Sequence, residues 1–243
     1  MKKNLFLAAI ILLSFTGVSE TLSAQQVGRA QTPTTKGLID KKSTFSPATL
    51  DSLLKCDKFV MLILSYEGCI PCEILRTSDV FDRFPITPYY IDYRLNNENA
   101  TPVYTFSASG FPTCMIFDKS GKIVAITLGA NHLLYERLEK IVNGENLIDR
   151  GIPGVPDDQI LPFVNLMHKA NIACLQGNME SVYQNATAAM NICPNFYNRY
   201  LLYKYYLSKA DNASANKYKQ LALENIDDRD KFVFKPLIDE LKD

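Results

Sequence analysis

Phe59-Val60-Met61-Leu62-Ile63-Leu64 is an unbroken run of six apolar residues. A half-exposed strand would alternate apolar with polar side chains, so this pattern predicts a strand buried on both faces. A sheet containing such a strand must carry packing layers on both sides, which needs a sizeable core. The chain can supply one: its 243 residues suffice for one large domain or two ordinary ones. Its 47% apolar and 21% charged content is globular and argues against a disordered or fibrous chain. With 26 basic and 26 acidic residues, no charge excess points to nucleic acid or another polyanion. Six cysteines are too few to replace a core with disulfides, so any special cysteine chemistry is local.

The first 24 residues read as an address. Lys2 and Lys3 precede the apolar run Leu5–Leu13, and small and polar residues lead to Ala24. This predicts a secretory signal peptide cleaved after Ala24. Its apolar stretch is well short of the ~20 residues of a spanning helix, so no membrane span is expected after cleavage. The short basic start looks bacterial, and the expected location is the periplasm or the cell exterior, where cysteines can be oxidised. Residues 25–40 are polar, with Gly28, Pro33 and Gly37, and read as a flexible tether.

Residues 41–145 alternate strand-like and helix-like patterns. Ser46-Pro47 looks like a helix start, Tyr89–Tyr93 a second strand, and Asp118–Gly121 a hairpin turn between Cys114–Phe117 and Lys122–Leu128. Asn131 is placed to cap a helix through Leu134, Leu138 and Val142. Residues 146–158 hold Gly151, Pro153, Gly154 and Pro156 and read as a linker. Residues 159–243 are helical in pattern. Val182 and Ala189 recur 33 residues later as Ala215 and Ala222, the mark of stacked helical hairpins.

Cys69-Ile70-Pro71-Cys72 carries the chemistry. A helix starting near Cys69 puts both sulfurs on one face, close enough to form a Cys69–Cys72 disulfide. The leading thiol sits at unpaired N–H groups and the positive helix end, which lower the pKa of such thiols to about 3.5–7.5. Cys69 is therefore the expected attacking sulfur and Cys72 the resolving one. A zinc site needs two further ligands. There is no second close cysteine pair, and the histidines, His132 and His168, lie in ordinary amphipathic patterns. No metal and no cofactor are expected, and Glu73 after Cys72 disfavours haem attachment.

The order strand, CIPC helix, strand, helix, then Gly110-Phe111-Pro112-Thr113 leading into a strand and hairpin, resembles the thioredoxin superfamily over about residues 41–143. The resemblance implies an α/β thioredoxin-like domain, a central mixed sheet flanked by helices, followed here by a C-terminal all-α helical-hairpin domain. It implies a cis Phe111–Pro112 bond, and substrate binding by Phe111, Pro112 and Thr113 beside the cysteines. The activity implied is thiol–disulfide exchange on protein partners, with an unnamed redox donor or acceptor. Two departures stand out. Gly68 occupies the family's usual tryptophan position, and Ile63 stands where many members bury an aspartate that serves the resolving thiol. Glu67 or Glu73 is a candidate replacement. These departures keep open a redox-idle thioredoxin-like scaffold as the alternative.

Cys56, Cys114, Cys174 and Cys193 read as structural thiols, and a Cys174–Cys193 bridge is incompatible with a hairpin stack. The second domain is similar to tetratricopeptide hairpins, with Tyr203 and Asp227 departing from that pattern. Phe196, Tyr200, Tyr203 and Leu207 are expected to form one buried stripe, leaving Tyr197 and Tyr205 as candidates for a peptide-binding surface. Asn99, Asn185 and Asn212 are glycosylation sequons of consequence only in a glycosylating host.

Overall fold

The computed structural model describes residues 45–94, 97–106, 108, 110–128, 133–149, 151–224 and 226–242. The expected signal peptide, the whole of the expected tether (residues 25–40), Asn131 and His132 lie outside these residues.

The buried run becomes β1 (Phe59–Ser65), an interior strand of a five-stranded mixed sheet. Helix α1 (Pro47–Leu54) precedes it, and α2 (Ile70–Thr77) and the short α3 (Val80–Arg83) follow. The chain continues through β2 (Ile86–Asp92), α4 (Asn97–Phe106), the hairpin β3 (Thr113–Phe117) and β4 (Ile123–Leu128), and α5 (Leu134–Val142). Leu147–Ile148, at the start of the stretch read as a linker, adds a fifth strand, β5, beside β4. Strand order is β2-β1-β3-β4-β5, with β1 parallel to β2 and antiparallel to β3.

Alternation along β1 divides the core in two. Met61 and Ile63 face one side, joining Cys114 and Ile116 of β3, Leu75 of α2, Val80 of α3 and Leu134 and Leu138 of α5. Val60, Leu62 and Leu64 face the other, with Leu50 of α1 and Val103 and Tyr104 of α4. A six-residue apolar run is what a strand between two helical layers requires. This is the thioredoxin-like arrangement, a mixed sheet flanked by helices.

The remaining helices are α6 (Ile160–Leu175), α7 (Met179–Ile192), α8 (Phe196–Ser208), α9 (Asn212–Leu223), α10 (Asp228–Val233) and α11 (Lys235–Lys242). Consecutive members of α6–α9 pack side by side as hairpins. The 33-residue offset is visible in the caps: Asn178 accepts the Ser181 N–H, and Asp211 accepts the Ser214 N–H. Val182, Ala189, Ala215 and Ala222 are all buried. The four cysteines outside the CIPC motif are free, including Cys174 and Cys193.

Helix α6 joins the helices to the sheet without a break in the core. The Asn165 side chain imitates a strand neighbour. Its Oδ1 accepts the Ile123 N–H at 2.9 Å, and its Nδ2 donates to the Ile123 carbonyl at 2.9 Å. Deeper in, Asn171 of α6 donates to Thr105 of α4 and accepts from the hydroxyl of Tyr197 on α8. Tyr197 is therefore buried, not a surface residue as the helical stripe suggested, while Leu207 is exposed. The stripe reading put Tyr197 off the core because it could not foresee a polar partner that accepts its hydroxyl. Asn99 is buried too, accepting the Phe45 N–H and donating to the Asp92 carbonyl, which leaves no room for a glycan in the folded chain.

The two interhelical turns use the same left-handed backbone with different residues. Gly177 has φ +72°, and its counterpart Ala210 has φ 56°. An L residue in that region is strained by about 1–2 kcal/mol. Part of that gain is offset by the greater freedom of glycine when unfolded. Ala210→Gly should raise unfolding stability by about 0.5–1 kcal/mol, and Gly177→Ala, whose added Cβ meets nothing within 4 Å, should lower it by about 1 kcal/mol. Denaturant melts of the two variants read both signs.

Candidate active site

Strand directions gather the candidate residues at one end of the sheet. Because β1 and β2 are parallel, both run out at this end, at Ser65 and Asp92. Because β3 is antiparallel, it begins there: Thr113 pairs with Leu64. The loop after β1 ends at Cys69, the N-cap of α2, with Cys72 in that helix's first turn; the segment before β3 carries Phe111 and Pro112, and the turn after β2 carries Tyr93 and Arg94.

Cys69 is the N-cap of α2. Its N–H donates to the Tyr66 carbonyl at 3.1 Å, its carbonyl accepts the Glu73 N–H at 3.1 Å, and its Sγ accepts the Cys72 N–H at 3.3 Å. Pro71 lies in the first turn, where its missing N–H leaves no helical bond unmade. The two sulfurs are joined as a Cys69–Cys72 disulfide, with Cα atoms 5.3 Å apart. Were the bond reduced, the same N–H and the helix end would face the Cys69 sulfur, the setting in which a thiolate is favoured over a thiol.

Gly68 has φ +83°, with open space where a Cβ would stand. The backbone, not crowding, excludes the tryptophan that the family usually carries here. Phe111–Pro112 is a cis peptide bond, and Pro112 is buried. The Thr113 hydroxyl donates to the Gly110 carbonyl, so this buried side chain braces the loop from within. Phe111 stacks on Tyr93 with ring centroids 4.6 Å apart and meets Tyr66 edge-on at 5.5 Å. The Arg94 guanidinium lies 4.2 Å from the Tyr66 ring centroid. Tyr93 and Arg94 were not singled out by motif. The expected strand Tyr89–Tyr93 takes in Tyr93 and stops just short of Arg94, but the observed strand ends at Asp92 and turns both residues toward the cysteine end of the sheet.

Cys69 and Cys72 are only 2% and 1% exposed, so a partner reaches Sγ only after a local movement of the surrounding residues. The rim is apolar: Ile70 is 72% and Ile74 57% exposed, one turn apart on the outer face of α2.

Among the described residues no buried carboxylate stands where the resemblance implies an aspartate. Ile63 is wholly buried between Tyr90 and Cys114, and burial pushes the Cys114 thiol up to about 12, which keeps it protonated. Glu67 is exposed, its backbone N–H bound to Asp92. Glu73 pairs with Arg76 at 3.6 Å. Arg76 is the unexpected member. It follows Cys72 by one helical turn, its guanidinium carbon lies 4.3 Å from the Tyr90 ring centroid, and its buried Nε is held by the long ion pair to Glu73 rather than by a hydrogen bond. A largely buried cation one helical turn after Cys72 would stabilise a thiolate there, against the opposing charge of its partner Glu73.

Among the described residues no cluster of His, Cys, Asp and Glu is placed to hold a metal ion. His168 lies against Phe117, ring centroids 5.0 Å apart, and burial pushes its pKa down to about 4.

No protein-family model matches the chain, and no curated protein matches it. Among solved structures it is similar to a thioredoxin-fold protein from Helicobacter pylori. The two are 20% identical, the match covers 59% of this chain and 94% of that one, and the TM-score is 0.32.

The placement of Arg76 has a measurable consequence. Arg76→Met should raise the apparent pKa of the Cys72 thiol by about one unit, as expected for loss of a cation at roughly one helical turn. The readout is pH-dependent alkylation of Cys72 in a Cys69→Ser background, with Arg76→Lys restoring most of the shift.

Proposed function

We propose that this chain is an exported thiol–disulfide oxidoreductase acting on protein disulfides through Cys69 and Cys72, with a helical partner-binding domain. The observation that carries the reading is the joined sulfur pair at the start of α2, with the cis Phe111–Pro112 segment at the same sheet end.

In the reducing direction the Cys69 thiolate attacks one sulfur of a substrate disulfide. The other substrate sulfur leaves with the electron pair and takes a proton from water. The Cys72 thiolate then attacks Cys69 Sγ in the mixed disulfide and expels the second substrate sulfur. The substrate gains two electrons, the chain is left with the Cys69–Cys72 bond, and a thiol donor must reduce it again. In the oxidising direction a substrate dithiol runs the same steps backwards. Phe111, Pro112 and Thr113 hold the substrate strand, the two buried residues by their backbone. Exposed Ile70 and Ile74 fit an apolar protein partner better than a small polar disulfide.

Export rests on the signal-like first 24 residues and places the chain in the periplasm or outside the cell, where its disulfide persists. Residues 159–243 act in this reading as a tetratricopeptide-like platform, with Tyr205, stacked on Tyr183, as the one of the two candidate surface tyrosines that is not buried.

Burial of both sulfurs and the apolar Ile63 favour the second reading, a redox-idle interaction module. Insulin reduction in the presence of dithiothreitol separates the two. The oxidoreductase precipitates the insulin B chain well above the uncatalysed rate, and Cys69→Ser abolishes the acceleration. Equal turbidity with wild type and mutant leaves only the idle module.

A further inference from the structure

A cleft of about 640 Å³ opens beside Phe111, between α4 and the C-terminal helices α10 and α11. That volume is in the range of ligand clefts. Its walls include Tyr93, Tyr104, Phe111 and Phe232, with Arg94 and Lys235 supplying the charge, and no carboxylate lines it among the described residues. Phe232 is 71% exposed, an unusual position for a ring on a short helix.

The two cations differ in availability. Lys235 is paired with Asp239 one turn along α11. Arg94 donates from Nε to the Tyr93 hydroxyl at 3.0 Å and lies over the Tyr66 ring. The nearby Asp92 is occupied elsewhere, accepting the backbone N–H groups of Arg94 at 3.0 Å and Glu67 at 3.2 Å. Asp92 acts on the Arg94 guanidinium only through its field, and the terminal nitrogens of Arg94 make no ion pair with a carboxylate among the described residues. An exposed guanidinium held over a ring by one of its nitrogens is preorganised for a carboxylate. The cleft is also continuous with the thiol loop: Phe111 lines it, and Tyr66, which packs on Phe111, lies three residues before Cys69.

We propose that this cleft is a specificity site for an acidic, apolar stretch of substrate polypeptide flanking the exchanging cysteine. It seats one aromatic or aliphatic side chain against Tyr104, Phe111 and Phe232, and one carboxylate on Arg94. The proposal rests on the exchange reading for its purpose, but the binding itself needs no thiol chemistry. The helical domain thereby contributes to substrate choice through Phe232 and its neighbours, on a wall that the sheet domain alone does not have.

Peptide binding to the oxidised full chain tests this apart from exchange. The probes are fluorescein-labelled decapeptides with a central serine in place of cysteine. Each carries one Phe and one Glu within three residues of that serine, in both chain orders, with matched Phe–Lys and Ser–Glu sets. Fluorescence anisotropy should show at least one Phe–Glu order binding about tenfold or more tighter than its Phe–Lys match, the scale of a charge-assisted hydrogen bond. Arg94→Glu should invert that preference, and Phe232→Ser should weaken Phe–Glu binding several-fold while leaving Ser–Glu peptides little changed. Equal binding of Glu and Lys peptides, no saturable binding, or a preference unmoved by Arg94→Glu overturns the proposal. A chain dimer dispersed by Arg94→Glu in sedimentation assigns the cleft to a second copy and overturns it as well. Peptide binding without insulin reduction leaves the cleft standing and refutes the exchange reading alone.

Discussion

The antiparallel pairing of β1 with β3 is the constraint on which the site depends. A strand that ends where its neighbour begins brings the loop after β1 and the segment before β3 to one edge, whatever the side chains of those loops. Parallel β2 adds its own outgoing turn at the same edge. The register is held because β1 is committed on both faces: a one-residue slip would exchange Met61 and Ile63 with Leu62 and Leu64 between two differently shaped layers. The position of Cys69 is thus fixed by the packing of β1 between its two layers, not by any contact of its own sulfur.

On that frame the charges are arranged differently from those the thioredoxin resemblance implies. The position of the buried carboxylate is apolar, and the nearest charged pair is Arg76 with Glu73, the cation lying over Tyr90. A carboxylate assists a resolving thiol by accepting its proton, whereas a cation assists by stabilising the thiolate once the proton has gone to solvent. Both routes end at the same nucleophile. The route through a cation also favours the reduced, ionised state of the pair, which raises its reduction potential.

Much of this was legible in the sequence, for physical reasons. An unbroken apolar run, a proline two residues after a cysteine and a 33-residue recurrence are local patterns, and each produced the element it implied: β1, the first turn of α2 and the paired caps Asn178 and Asp211. What was not legible depended on contacts between distant segments. Tyr197 lies off the expected stripe yet is buried, because Asn171, 26 residues earlier, receives its hydroxyl. Arg94 is an ordinary arginine until β2 lies beside β1 and Phe111 arrives from the far side of α4. The fifth strand, two residues long, carries no periodicity from which to read it.

The central claim, that Cys69 and Cys72 form a reactive dithiol with an activated leading sulfur, is tested most directly by the ionisation of Cys69. The chain is reduced, alkylated briefly with iodoacetamide across pH 4–9, and mapped by mass spectrometry, with exposed Cys56 as an internal reference. The account predicts that Cys69 modification has its midpoint below about pH 7.5, and that at pH 6 Cys69 outpaces Cys56. A midpoint at or above the free-cysteine value of about 8.5, or a Cys69 no faster than Cys56 throughout, contradicts it.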